Sequence, residues 1–214
     1  MGEICLRHNV LVISDEIHGD LVLNPAKRHI PFASLGEAFA QNSITCTAPS
    51  KTFNLPGLQS ANAIVPNARL RDELRRQYER NSFELVNVLG MVAAEAAYTD
   101  GEEWLEELLV YLRANHAHFA TAINQADTRL KVLPADSLYL AWMDCRGMGM
   151  GAEELNRFML TRACVWLDKG QKFGTEGHGF MRVNLGCPRA TVDEAIRRIT
   201  SAMAQYADFD PRSR

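Results

Sequence analysis

The first third of the chain alternates short apolar runs with polar turns, and this pattern predicts a β-sheet. Strands are predicted at Val10–Ser14, Ser43–Thr47 and Asn62–Val65. The first of these, VLVIS, is an unbroken run of β-branched and aliphatic residues, which is typical of a central strand covered on both faces. Between the strands, Gly19–Pro31 is polar and predicts a loop, and Phe32–Ala40 predicts a short helix.

From Ala68 the apolar residues recur at helical spacing instead. An amphipathic helix with a charged outer face is predicted first, and a more apolar helix follows at Phe83–Tyr98. A third helix begins near Gly101, carries acidic residues in its first turn, and keeps its apolar spacing to about Asn124. At roughly 24 residues it is on the order of 36 Å long, which is enough to connect two domains.

The last third of the chain contains both strand-like segments and segments with helical spacing of the apolar residues. Strands are predicted at Leu130–Leu133, Leu138–Met143 and Phe180–Leu185. Helices are predicted at Ala152–Cys164 and from about Val192 to Tyr206. This order of elements is typical of an α+β unit.

These elements place the chain in the α/β class and divide it into three parts. Residues 1–67 are predicted to hold a partial mixed or parallel sheet, residues 68–126 connecting helices, and residues 127–214 a small α+β domain. A two-turn helix at Gly2–Asn9, just before a buried strand, is marginal by itself. The chain is therefore expected to begin in the middle of a domain.

Composition and charge are those of an ordinary globular protein. Hydrophobic residues make up 47% and charged residues 23% of the 214 residues, and the net charge is −3. This charge gives no electrostatic reason to expect nucleic acid as a partner. The five cysteines lack C-x-x-C spacing, and no segment has the length and apolarity of a signal or a membrane span. We therefore expect a cytoplasmic protein with reduced thiols and no metal or membrane partner.

The stretch Ser43–Ser60 carries the first candidate chemistry, because its strand ends by presenting Lys51 beside Thr47 and Ser50. A single lysine in this position is most often a surface-loop residue. At the carboxyl edge of an α/β sheet, however, the same lysine lies where ligands bind. Its amine could attack a carbonyl once deprotonated, and the neighbouring hydroxyls suit an anionic phosphate.

Asp15 and His18 follow the first predicted strand, and Asp15 has two interpretations. An acid at a strand end often caps the next helix. Alternatively, its carboxylate can hold a proton on a ligand ring nitrogen, as an aspartate does beside the lysine of pyridoxal phosphate enzymes. Arg182, inside the last predicted strand, needs an anion as well, either a structural acid or a bound carboxylate.

Three motifs together carry a resemblance to a known family. They are Asp15–His18 (DEIH), Ala48–Leu58 (APSKTFNLPGL) and Gly179–Arg189 (GFMRVNLGCPR). They resemble the class I/II aminotransferase superfamily of fold type I, pyridoxal phosphate-dependent enzymes. Within it they look most like the MalY/PatB group of cystathionine β-lyase-like C–S lyases. The resemblance covers essentially the whole chain and implies the C-terminal part of that fold.

The resemblance also implies roles for single residues. Lys51 would bind pyridoxal 5′-phosphate covalently, Asp15 would pair with its pyridinium nitrogen, and His18 would lie near its 3′-oxygen. Ser50 would contact the phosphate, and Arg182 would bind the substrate α-carboxylate. A homodimer that acts on a small amino-acid substrate is implied too.

Two positions depart from the aminotransferase pattern. Gln59 stands where many relatives have a phosphate-binding arginine, and Ala48 where they have a serine. Both departures favour the lyase group, which cleaves a sulfur amino acid by α,β-elimination to pyruvate, ammonia and a thiol. The alternative with the same cofactor is an aminotransferase.

Length is the larger departure. Family members have a further segment before the DEIH strand, nearly as long again as this chain. That segment carries the turn under the phosphate, the aromatic that stacks on the ring and an asparagine near the 3′-oxygen. We therefore expect either a C-terminal piece of a longer protein or a truncated reading frame. A third hypothesis follows, in which the chain is a non-catalytic remnant or a protein-interaction module.

Overall fold

A computed structural model of the protein describes residues 1–83 and 86–207. The chain forms two compact units, Met1–Leu108 and Leu109–Arg214, and the boundary between them lies within one long helix. The three-part division expected from the sequence stays a prediction.

The first unit holds a three-stranded sheet of order β1–β2–β3, in which β1 runs parallel and β3 antiparallel to β2. Its elements in chain order are α1 (Gly2–Arg7), β1 (Val12–Asp15), α2 (Glu37–Gln41), β2 (Ser43–Thr47), α3 (Pro49–Thr52), β3 (Asn62–Ile64), α4 (Ala68–Arg80), α5 (Val88–Asp100) and the start of α6 (Glu102–Ala126). The β-branched residues of SITCT favour β2. Pro49 then ends the strand, because proline has no N–H to donate to the ladder.

The strand predicted at Val10–Ser14 forms, but it lies at the edge of the described sheet and not at its centre. Among the described residues β1 pairs with β2 alone, and Ile13 is 68% exposed. The apolar run suits a strand with two covered faces, yet it carries no information on which segments of this chain cover them. Among the described residues, β1 is therefore an edge strand.

Two predicted helices differ in their bounds. Phe32–Ala40 is not one helix, because Gly36 at φ 151° separates a 3₁₀ turn at Phe32–Leu35 from α2. The helix predicted from Phe83 begins at Val88 after an Asn87 cap, and residues 84–85 lie outside the described residues. Within the described ranges, no helix combines the length and the apolarity that a membrane span requires.

The second unit holds a four-stranded antiparallel sheet of order β4–β5–β7–β6. Beyond the rest of α6, its elements are β4 (Lys131–Val132), β5 (Leu140–Asp144), α7 (Ala152–Thr161), β6 (Asp168–Lys169), β7 (Phe180–Asn184) and α8 (Arg189–Ala207). The predicted strands and helices of this part form with bounds shifted by a few residues. The sequence did not predict β6, because two residues are too few to show a period.

Alternation along β5 and β7 separates a core face from an outer face. The core face packs with side chains of α6, α7 and α8, and its strand residues are Ala141, Met143, Met181 and Val183. The outer face carries Trp142 and Arg182, which lie directly opposite each other on neighbouring strands. The arginine of the third motif is therefore half-buried on the outer face of the sheet, away from the core.

Candidate functional site

The carboxyl ends of β1 and β2 lie at the same edge of the first unit's sheet. Asp15 pairs with Cys46 in the parallel register. The Glu16 N–H then donates to the Cys46 carbonyl at 2.8 Å, which extends the ladder by one bond. The structure thus brings Asp15 and the turn that carries Lys51 to one edge, where open α/β folds bind ligands.

Lys51 lies on the short helix α3 and is exposed. Ala48 is extended at φ −159° and ψ 149°, and Pro49 takes the first helical position, so the chain turns as it leaves β2. Ser50 beside Lys51 is half-buried. Among the described residues no hydrogen bond or ion pair engages the Lys51 amine. The desolvation that a nucleophilic lysine needs is therefore not supplied by this part of the chain.

Asp15 is the last residue of β1, and His18 lies in the turn that follows. Asp15 is exposed, and its Oδ1 accepts a hydrogen bond from the Ile17 N–H at 3.2 Å. The carboxylate closes a turn rather than capping a helix, since the next helical turn begins only at Phe32. The His18 carbonyl accepts from the Leu21 N–H at 3.0 Å, and Leu21 is fully buried, so the turn is anchored.

Glu16, which sequence reasoning missed, organises the segment after β1. Its carboxylate accepts hydrogen bonds from the Ser14 hydroxyl at 2.9 Å and the Phe32 N–H at 2.8 Å, and lies 2.7 Å from His29 Nε2. Burial raises the pKa of Glu16, but the bonds from His29, Phe32 and Ser14 together outweigh it and lower that pKa. The available signal was the position of Glu16 inside the DEIH motif.

The residues after Lys51 are anchored at several points. The Thr52 hydroxyl donates to Asp20 Oδ2 at 2.9 Å. The Phe53 ring packs edge-on against Tyr98 and at a tilt against Trp104, with centroid distances of 5.8 Å in both pairs. Sequence reasoning missed these contacts, because each joins residues that are far apart in the chain.

Helix α5 contacts the loop that follows this turn. Asn87 Nδ2 donates to the Leu58 carbonyl at 3.1 Å. A Cβ on Gly90 would lie 2.7 Å from the same carbonyl oxygen, so only a glycine lets the helix and the loop approach this closely. Gln59, the departure noted in the lysine motif, follows in the left-handed region at φ 51°.

Arg182 lies in the second unit and has a protein partner. Asp168 is its neighbour on β6, and Asp168 Oδ2 accepts from Arg182 Nη2 at 2.5 Å. Lys172 Nζ donates to the other carboxylate oxygen at 2.7 Å. The guanidinium carbon lies 4.7 Å from the centroid of the Phe173 ring. The sequence left two anions open for Arg182, a structural acid and a bound carboxylate. The structure shows a structural acid, Asp168.

The surroundings of Arg182 are charged and aromatic. Its Nε is buried and has no hydrogen-bond partner in the described part of the chain. Hydrogen bonds from Lys172 first, and from Arg182 next, lower the pKa of Asp168. Burial raises the pKa of Tyr139, and the charge of Arg182 opposes that rise. Among the described residues, only Nη2 of this half-buried guanidinium makes a hydrogen bond.

A cavity of about 270 Å³ lies between α7 and α8 in the second unit. Charged and aromatic side chains share its wall, among them Glu154, Arg157, Phe158, Arg162 and Tyr206. None of the residues predicted to carry chemistry lines this cavity. It is therefore separate from the candidate site built on Asp15 and Lys51.

Comparison with known proteins identifies the family. The family model described as aminotransferase class I and II matches residues 1–199. The chain belongs to this family. It is 42% identical over 204 residues to cystathionine beta-lyase PatB of Bacillus subtilis (strain 168), which is 95% of this chain and 52% of PatB. Protein MalY of Escherichia coli (strain K12) is 34% identical over 204 residues, 95% of this chain and 51% of MalY.

A solved structure has the same fold as this chain. Cystalysin from Treponema denticola, whose structure contains a pyridoxal 5′-phosphate cofactor, matches with a TM-score of 0.92 at 31% identity. The match covers 96% of this chain and 52% of cystalysin. The family resemblance and the α/β fold class predicted from the sequence are thus confirmed. The chain spans about half the length of the curated relatives it matches.

Proposed function

We propose that the whole protein is a pyridoxal phosphate-dependent C–S β-lyase. It would cleave a sulfur amino acid by α,β-elimination to pyruvate, ammonia and a thiol. The observation that carries the proposal is that Asp15 ends β1 and Lys51 follows the neighbouring parallel strand β2, at one sheet edge. The name of PatB, at 42% identity, supports the lyase over the aminotransferase.

The residues at this edge fit the cofactor. The Lys51 amine is exposed and has no partner among the described residues, Asp15 is exposed, and Ser50 is half-buried. When bound, pyridoxal phosphate supplies an electron sink for negative charge at the substrate α-carbon. Asp15 would hold the proton on the ring nitrogen, His18 would lie near the 3′-oxygen, and Ser50 would donate to the phosphate.

Two side chains of this chain would act on the substrate. Lys51 would hold the cofactor covalently, and its Nζ as the free amine would accept the α-proton of the substrate. Arg182 would hold the substrate α-carboxylate through parallel hydrogen bonds. Asp168 engages one nitrogen of Arg182, so the substrate carboxylate would share the guanidinium with it or displace it.

We also propose that the whole protein is a homodimer. Large apolar side chains of the first unit are exposed, including Ile13 at 68%, Val88 at 70% and Leu89 at 69%. Exposed apolar surface of this kind favours association with another polypeptide. The cytoplasmic location stays a prediction.

Covalent attachment to Lys51 tests the cofactor assignment. Wild-type chain mixed with pyridoxal phosphate is expected to develop a visible absorption band that borohydride removes, and peptide mapping should find the label on Lys51. Lys51→Ala should lose the band, and Lys27→Ala, a change at an exposed lysine of the same unit, should keep it. Absence of the band in the wild-type chain contradicts cofactor binding and supports the non-catalytic remnant.

Product analysis separates elimination from transfer. With a cystathionine-like substrate, release of pyruvate and thiol without a keto-acid acceptor supports the lyase. A requirement for a keto acid supports the aminotransferase instead. In either reaction Lys51→Ala is expected to lower turnover by roughly 10²–10⁴-fold, since it removes the general base.

A further inference from the structure

Thr52 connects α3, the short helix that carries Lys51, to the segment that follows β1. Although it is next to the exposed Lys51, Thr52 is fully buried. Its hydroxyl donates to Asp20 Oδ2 at 2.9 Å, across a sequence separation of 32 residues. Hydrogen bonds that involve an ionised group are roughly twice as strong as neutral ones. This bond therefore ties the element that carries Lys51 to the segment that begins at Asp15.

Both partners of this bond are held by their neighbours. Leu21, next to Asp20, is fully buried. Phe53, next to Thr52, packs against Tyr98 and Trp104. Burial raises the pKa of Tyr98, and the charge of Asp20 raises it further. The hydrogen bond thus joins two segments that are themselves anchored in the unit.

We propose that Asp20 and Thr52 are positioning residues, whose hydrogen bond sets the direction from which Lys51 reaches the sheet edge beyond Asp15. The inference rests on the proposed function, since it concerns what orients the amine. The lysine side chain is a flexible four-carbon chain, so the position of its amine depends on how well the backbone that carries it is fixed. Anchoring the adjacent residue through a buried hydroxyl restricts that backbone, and orientation of a nucleophile raises its effective concentration.

The test measures how strongly pyridoxal phosphate selects Lys51 over another lysine. Each chain is incubated with pyridoxal phosphate, reduced with borohydride and mapped by mass spectrometry, and the ratio of label on Lys51 to label on Lys27 is recorded. Thr52→Val and Asp20→Ala are each expected to lower this ratio by about tenfold, since each removes a hydrogen bond to a charged group. Thr52→Ser keeps the hydroxyl and is expected to restore the ratio to within about twofold.

Thr45→Val is the matched control. Thr45 is also buried in the first unit, on β2, but its hydroxyl has no hydrogen-bond partner among the described residues. The substitution makes the same chemical change without removing a described bond, so the labelling ratio should stay at the wild-type value. Thermal unfolding followed by circular dichroism verifies that every variant is folded at the labelling temperature.

The outcomes distinguish the two proposals. A wild-type ratio near one contradicts the proposed function, and the positioning role with it. A high wild-type ratio that Thr52→Val leaves unchanged contradicts the positioning role alone. An equal fall in Thr45→Val, or a failure of Thr52→Ser to restore the ratio, indicates general loss of packing and also overturns the positioning role.

Discussion

Arg182 and Asp168 form a half-buried ion pair on the outer face of the second unit's sheet. The two side chains are 33% and 32% exposed. Strand alternation places both on the same face, and the pairing of β6 with β7 sets them opposite each other. Because Arg182 Nε already lacks a described partner, loss of Asp168 would leave the guanidinium poorly satisfied.

Asp168→Ala is expected to lower the free energy of unfolding by about 1–2 kcal/mol, a value reduced for the partial exposure of the pair. Lys172→Ala removes the second bond to Asp168 from a side chain that is 58% exposed. That loss should be below about 0.5 kcal/mol. Urea unfolding of the two variants measures the difference, and equal losses would contradict the special role of Arg182.

At the residue scale, the sequence predicted side chains whose type is unusual for their place. Lys51 after a strand and Arg182 inside one are chemically conspicuous, so both could be singled out. Glu16 was marked only by its place in the DEIH motif, and Asp20 was not marked at all, because an acid in a polar turn is ordinary and its importance depends on a partner elsewhere in the chain. Asp168 was not predicted either, because its partner, Arg182, lies 14 residues further along the chain.

At the element scale, α5 shapes the loop that follows Lys51. Gly90 is the buried residue of α5, and it faces the backbone of that loop. A side chain there would press on a carbonyl of the main chain, which cannot rotate away as a flexible side chain could. The helix and the loop would have to separate.

Gly90→Ala is therefore expected to destabilise the protein by about 1–3 kcal/mol through overpacking against Leu58. Gly57→Ala is the control from the loop itself, because a Cβ there meets nothing within 4 Å. It should change stability by less than about 0.5 kcal/mol. Thermal unfolding compares the two, and a Gly90→Ala protein as stable as Gly57→Ala would refute the close contact.

The elements differ in how well the sequence predicted them. Helix α6, at 25 residues, is long enough to show its period many times, and its predicted and observed bounds differ by one or two residues. The helix predicted at Phe32–Ala40 does not form as one helix, because Gly36, at φ 151°, interrupts it. For β1 the local conformation was predicted correctly, but its place at the edge depends on pairing with other strands.

At the scale of the whole molecule, the second unit is expected to be sensitive to acid. Among the described residues of this unit, hydrogen bonds from arginine or lysine lower the pKa of five carboxyl groups: Asp127, Asp144, Glu153, Asp168 and Glu194. For Glu194, bonds from Arg197 and Arg198 lower the pKa to about 2. The unfolded chain binds protons at these sites at higher pH than the folded chain does. Their stabilising contribution is therefore complete above roughly pH 4.5 and is lost as the pH falls through the folded-state pKa values.

The free energy of unfolding should thus decrease steadily as the pH is lowered from about 5 to about 2. Urea unfolding at a series of pH values measures this slope. Glu194→Gln should flatten the slope at the acid end, and Glu106→Gln, a change at an exposed glutamate of α6, should leave it unaltered. A stability that stays constant over this range would contradict the assigned pKa shifts.

The sequence by itself determined the fold class and the family, and it predicted the side chains that would carry the chemistry. Strand and helix periods, the DEIH motif and the Ala48–Leu58 motif are local properties of the chain. They can be recognised from consecutive residues alone. Only the tertiary structure decided that Asp15 and Lys51 share one edge, that Asp168 pairs with Arg182, and that Thr52 is tied to Asp20. Each of these depends on packing between distant segments, because hydrogen bonds and ion pairs form wherever the fold brings their partners within reach.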